Sequence, residues 1–267
     1  MTNMKRHLRT LAMSLIMIAM SACVTSAETI KPSDNIITKN VTLNDFNAIT
    51  SAGPFDVVYE TGNTCKARIT GPDNIVPLVK TDISNGNLSI RFGRDTHISG
   101  NPNVTIFVTA PTVSGYSVTG SGSILIKSKL DMASHDIKIT VTGSGGITTR
   151  TIQCKSLNCS VSGSGGIVCD NAMASTAKAS ISGSGDITIK GSAGEAVLKV
   201  TGSGNISAGH LAAKHAKASI AGSGTINCNA TGSLDASISG SGNIRYAGNP
   251  QEVHKNSHFK NNIRPAK

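Results

Sequence analysis

The chain is 267 residues long, 38% apolar but only 3% aromatic, with 28 glycines and no Trp. That length holds one or two domains, and the shortage of aromatic rings excludes a surface that stacks nucleic-acid bases. The formal net charge is +10; without the first 23 residues, which hold Lys5, Arg6 and Arg9, it is +7 (22 minus 15), and part of that excess sits at the C-terminal end.

Taken in order, residues 1–23 read as a signal peptide with a lipobox. Lys5, Arg6 and Arg9 form a basic start, and Leu11 to Met20 form an apolar core of signal-peptide length, too short to span a bilayer as a mature helix. Met20-Ser21-Ala22-Cys23 has the form of a bacterial lipobox, which predicts lipid attachment at Cys23 and a membrane partner through that lipid. Val24, rather than Asp, after the Cys is similar to the outer-membrane sorting pattern. Cleavage after Ala27, leaving a soluble periplasmic or secreted chain, is the alternative. Residues 24–40 are polar and aperiodic, and read as a tether. From residue 41 to 110 short alternating runs such as Phe55-Asp56-Val57-Val58-Tyr59 and Leu88-Ser89-Ile90-Arg91-Phe92 are punctuated by Gly71-Pro72-Asp73-Asn74 and Asn85-Gly86-Asn87. These predict a β-rich lead-in and cap, with Ile75 to Lys80 a short helix or strand.

Residues 111–248 repeat one phrase seven times. It runs Gly120-Ser121-Gly122 with Ile124, Gly143-Ser144-Gly145 with Ile147, Gly163-Ser164-Gly165 with Ile167, and Gly183-Ser184-Gly185 with Ile187. It continues as Gly202-Ser203-Gly204 with Ile206, Gly222-Ser223-Gly224 with Ile226, and Gly240-Ser241-Gly242 with Ile244. A period near 20 residues marks a solenoid. Counted from the first Gly, position −2 is always Val or Ile, and positions −4 and −6 are mostly aliphatic. Positions −1 and −3 are mostly Ser or Thr, and position −5 includes Lys138, Lys178 and Lys217. A spacing of two puts the apolar columns on one face of a strand and the polar ones on the other. A helical period of 3.6 would scatter them. Each coil is therefore expected to hold one strand before the Gly-Ser-Gly corner, a second after it, and a return of six or seven residues. The fold class is all-β: a parallel β-solenoid, or single-stranded β-helix, right-handed by the default of parallel crossovers. Residues 249–267 lack a period and read as a basic, disordered tail.

These features resemble the head-GIN-domain family of exported bacterial proteins, described as auto-transporter adhesins. The resemblance rests on the repeated Gly-Ser-Gly corners, on Phe46 with Ile49, on Phe55-Asp56-Val57, on Gly71-Pro72-Asp73-Asn74, and on Asn85 to Ile90. It spans about residues 41–248 and implies a β-solenoid with adhesin-like binding; it carries over no catalytic residue.

Sharper chemical readings fare poorly. A dinucleotide turn needs a helix after its glycines, whereas these glycines lie between strands. A calcium roll needs a recurring Asp, and position +3 offers only Asp186. His210 with His215, and His254 with His258, have no carboxylate or thiol paired with them in sequence. No metal or cofactor is expected. Cys159 and Cys169 point inward on facing strands of one coil, as a disulfide or as buried thiols; with Cys23 lipidated, the remaining five cysteines make an odd count. The expected function is a non-enzymatic, lipid-anchored envelope protein. It binds a surface polysaccharide or protein through a Ser/Thr/Lys face that includes Lys138, Lys178 and Lys217. The alternatives are a structural protein whose ends stack into a homo-oligomer, and a β-helix polysaccharide lyase or hydrolase, for which the outer columns offer few carboxylates.

Overall fold

A computed structural model describes residues 29–257 and 262–266; residues 1–23, expected to be a signal peptide with a lipobox, and so Cys23, lie outside the described residues. The lead-in supplies β1 (Thr29–Ile30), β2 (Ile36–Thr42), β3 (Ala48–Ala52), β4 (Asp56–Thr61), β5 (Lys66–Pro72), a 3-10 turn at Val76–Leu78, β6 (Val79–Ser84), β7 (Asn87–Phe92), β8 (His97–Ile98) and β9 (Thr105–Ala110). The repeat supplies β10 (Gly115–Gly120), β11 (Ser123–Ile126), β12 (Leu130–Gly143), β13 (Gly146–Gly163), β14 (Gly166–Gly183), β15 (Asp186–Gly202), β16 (Asn205–Gly222) and β17 (Thr225–Ser239). The chain closes with β18 (Asn243–Ala247), β19 (Glu252–Ser257) and β20 (Ile263–Pro265).

The coils stack as a parallel β-solenoid with a triangular section. On the first side β7, β3, β10, the C-terminal parts of β12 to β17, and β19 lie in parallel register. On the second side β9, β4, β11, the N-terminal parts of β13 to β17, β18 and β20 do the same. The second side carries the isoleucine column predicted from position +4. Ile124, Ile147, Ile167, Ile187, Ile206, Ile226 and Ile244 are all buried to within 1%, and each extends the hydrophobic rod by about 4.8 Å. Burying one such side chain stabilises by about 1.5–3 kcal/mol, so a column of small contributions replaces the aromatic core the composition lacks.

Four features depart from the sequence reading. The return segment is a third strand-forming side: Leu130 and Met132, Ile152 and Cys154, Ala172, then Leu211 and Ala213 all point inward. It escapes the period-two test because register slips there, between Cys169 and Ala172 and between Thr188 and Gly191. The lead-in is not a separate cap, since β3 and β4 are a full coil in register with β10 and β11, Val57 beneath Ile124. The span assigned to a tether is strand from Ile36 onward, β2 pairing antiparallel with β5 along its whole length. The tail is no loose end either. β19 and β20 form one more coil on β17 and β18, and Ile263 continues the isoleucine column at 3% exposure. Its period is hidden because Lys255 occupies an inward column, its ammonium lying 5.0 Å over the Tyr246 ring.

The two corner glycines are needed for different reasons. Gly163 has φ +121, and a Cβ on it would stand 2.5 Å from the Gly143 carbonyl oxygen of the coil below. Gly165 has no such φ, but a Cβ would meet the Gly145 carbonyl oxygen at 2.3 Å. This close approach makes the hydrogen bonds: the Gly143 carbonyl accepts from both the Ser164 and Gly165 amides at 2.9 Å. The same pattern begins one coil earlier than the sequence signature, where the Gly53 carbonyl accepts from the Gly122 amide at 3.1 Å.

Candidate binding face

Alternation turns one set of side chains inward and leaves the other as a lattice on the first side. The −3 column runs Ser117, Thr140, Ser160, Ser180, Lys199, Ser219, Ser237 and Asn256 in unbroken register. Beside it the −1 column runs Thr119, Thr142, Ser162, Ser182, Thr201, Ala221 and Ser239. The corner adds a third line that sequence reading treated as scaffold alone. Ser121, Ser144, Ser164, Ser184, Ser203, Ser223 and Ser241 are all exposed between their glycines. Hydroxyls thus recur about every 4.8 Å along much of the rod and about every 7 Å across it, with breaks at Lys199, Ala221 and Asn256 and at Thr140, whose Oγ1 is buried. They both donate and accept hydrogen bonds.

Lys138, Lys178 and Lys217 do share one outward column, but on alternate coils. Asn158 and Val197 separate them, and Asp235 follows Lys217. Consecutive ammonium groups therefore start about 10 Å apart, so the column is spaced rather than a continuous basic ridge. Only Lys217 joins the shallow groove at the C-terminal end of the face, lined by Asp235, Ser237, His254, Lys255 and Asn256 and continuing past Lys199 and Ser219.

The remaining expected sites fall elsewhere. Cys159 and Cys169 are both free thiols at 2% and 1% exposure. They are hydrogen-bonded to each other, which together with burial pushes the Cys159 thiol well above its ordinary value. Cys154 belongs to the same buried group, raised to about 11 chiefly by desolvation. His210 and His215 are exposed, His215 Nδ1 lying 2.9 Å from Ser233 Oγ; His258 lies outside the described residues. No cluster of metal-ligating side chains occurs among the described residues. Two carboxylates on the second side sit in exposed ion pairs, Glu60 with Lys127 at 3.0 Å and Asp170 with Lys190 at 3.5 Å, while Asp56 and Asp186 accept hydrogen bonds from Ser123 Oγ and Asn205 Nδ2.

The fold is a parallel solenoid with a hydrogen-bonding lattice on one side. Residues 45–250 match the family described as "Putative auto-transporter adhesin, head GIN domain", and the chain belongs to that family. Among solved structures it is similar to a "putative lipid binding protein" from Parabacteroides distasonis, at 27% identity and TM-score 0.80, covering 90% of this chain and 100% of that one. A "putative adhesin" from Parabacteroides merdae is similar at 26% identity and TM-score 0.80, with the same coverage. A further "putative adhesin", from Bacteroides fragilis, is similar at 27% identity and TM-score 0.65, covering 89% and 100%. No curated protein sequence matches the chain.

Proposed function

We propose that this chain is a non-enzymatic, lipid-anchored envelope protein that binds a surface polysaccharide or protein through the first side of its solenoid. The observation that carries the reading is the in-register hydroxyl lattice of the −3 and −1 columns with the exposed corner serines. Many modest hydrogen bonds, each worth about 0.5–1.5 kcal/mol net, add up on a rigid surface because little order is lost on binding. Family membership and the names of two relatives support an adhesive role; the name of a third supports contact with lipid.

The test is binding of the chain to an immobilised panel of bacterial surface polysaccharides and mucin. Ser160→Arg, Ser180→Arg and Ser219→Arg together place bulk at the centre of the lattice and are expected to weaken binding at least about tenfold, a loss of about 1.4 kcal/mol. Thr148→Arg, Thr188→Arg and Ser207→Arg make the equivalent change on the second side and leave it intact. Equal loss in both sets, or in neither, removes the first side as the binding face. A Lys138→Glu, Lys178→Glu and Lys217→Glu variant asks separately whether the spaced ammonium groups take part.

A further inference from the structure

Strand β2 is placed in an unusual way. It is the outermost strand of the second side, paired only with β5 among the described strands, and six of its seven residues are exposed. Successive side chains of a strand point to opposite faces, so β2 stands as a ridge wet on both faces. At its leading end are Ile36 and Ile37, 56% and 37% exposed, two of the largest exposed apolar side chains among the described residues.

A ridge near the end of a chain ordinarily frays; this one is fastened. Ser33 Oγ donates to Asp73 Oδ1 at 2.6 Å, and Asn35 Nδ2 donates to Asp73 Oδ2 at 2.7 Å. Asn74 Nδ2 donates to the Lys31 carbonyl at 2.8 Å, while Asn74 Oδ1 accepts from the Ser33 amide at 3.0 Å. The Asp73 amide donates to the Asn35 carbonyl at 2.9 Å. The network holds two isoleucines in water, which costs free energy unless something apolar covers them.

We propose that the β2 ridge is a membrane-docking edge, with Ile36 and Ile37 entering the headgroup–acyl boundary of a phospholipid bilayer. Charge at the pair itself is balanced, Lys31 and Lys39 against Asp34 and Asp73, and the excess of cations lies farther along the ridge, where exposed Arg68 and Lys66 stand opposite Asn40 and Thr42. Cations along the same edge as an apolar insertion suit an anionic lipid surface. The chain leading to the ridge favours it too, in a way that rests on the lipid-anchor reading. From Cys23 to Thr29 is six residues, which span at most about 20 Å, so a lipid on Cys23 holds this end of the solenoid at the bilayer. The rod then stands on its N-terminal end and carries the hydroxyl lattice outward.

The absence of Trp from the sequence gives a clean probe. The chain from Val24, which keeps every described element and lacks any lipid, is made with Ile36→Trp or with Met173→Trp, an exposed side chain in the middle of the rod. Each is mixed with vesicles of phosphatidylethanolamine and phosphatidylglycerol carrying brominated acyl chains. Emission from the Ile36→Trp chain is expected to shift to the blue and lose at least half its intensity, while the Met173→Trp chain changes little. Ile36→Ser with Ile37→Ser is expected to lower the vesicle-bound fraction of the Trp-free chain at least fivefold. Equal quenching at both positions, or none at Ile36→Trp, overturns the proposal. So does a blue shift that follows protein concentration without vesicles, which assigns the ridge to a second copy. The anchor reading is judged separately, by incorporation of a palmitate analogue into the full chain and its loss in Cys23→Ala.

Discussion

At the scale of single residues, the interior is a set of compensating volumes. Across the coil the −4 and +6 positions pair as Ile139 with Thr149, Cys159 with Cys169, Ala179 with Ile189, Leu198 with Ala208, and Ala218 with Cys228, all buried. A large side chain on one wall is mostly met by a small one on the other, as close packing requires. Cysteine serves here as a compact apolar filler, and its burial makes stability depend on alkaline pH. The folded state holds the Cys154 and Cys228 thiols at about 11 and about 12, with desolvation the leading cause in each, against about 8.5 in an unfolded chain. Below the unfolded value both states keep the proton and nothing is lost. Above it the unfolded chain ionises first, so stability falls between about pH 9 and pH 12, by up to about 1.4 kcal/mol per pH unit per thiol. Thermal melts from pH 7 to 11 are expected to show that decline, and Cys228→Ala to flatten it while lowering the neutral-pH midpoint. An unchanged slope in Cys228→Ala would remove this thiol as a cause.

At the scale of the coil, the corner separates glycines that matter from those that do not. Gly183 combines φ +125 with a Cβ position 2.5 Å from the Gly163 carbonyl oxygen, and Gly185 would place a Cβ 2.4 Å from that of Gly165. Gly166 has an ordinary φ and its nearest neighbour at 3.6 Å. Urea unfolding is therefore expected to show a loss of about 3 kcal/mol for Gly183→Ala or Gly185→Ala, and no loss, or a slight gain, for Gly166→Ala. Comparable losses at all three would mean that the coils are not spaced as described. This element was legible in sequence because identical steric demands recur in every coil. The lead-in was legible as strands but not as coils, since Gly53-Pro54-Phe55 makes the corner without the second glycine. The last coil was hidden for a different reason: an end coil has solvent above it, so Lys255 can occupy an apolar column by lying across Tyr246. The binding lattice was legible only in part. Ser and Thr columns show in the alternation, whereas the corner serines are masked by glycines that command attention.

At the scale of the whole molecule, a solenoid must stop its own sheet from recruiting another. Antiparallel β6 covers β7, and antiparallel β5 and β2 cover β9, so among the described residues the N-terminal ends of the first and second parallel sides are covered. At the other end β19 and β20 expose Glu252, His254, Lys255 and Arg264, with Pro265 unable to donate; charge and proline are how natural sheets blunt edges. The full chain is therefore expected to be monomeric by light scattering at high concentration, against the stacking oligomer considered from sequence. Truncation after Gly248 bares the apolar inner ends of β17 and β18 and is expected to give concentration-dependent association. A full chain that already assembles end to end would mean that these edges are not blunted.

The slipping third side has a consequence for how such a chain can change. Corners repeat without a shift, while coil lengths from 18 to 23 residues are reconciled on the side where Met132 to Asp136, Cys169 to Ala172 and Thr188 to Gly191 lose register. That side acts as an expansion joint: residues gained or lost there leave the hydroxyl lattice in frame. Copying or deleting an entire coil would then alter the reach of the molecule by one step while leaving the chemistry of its surface the same.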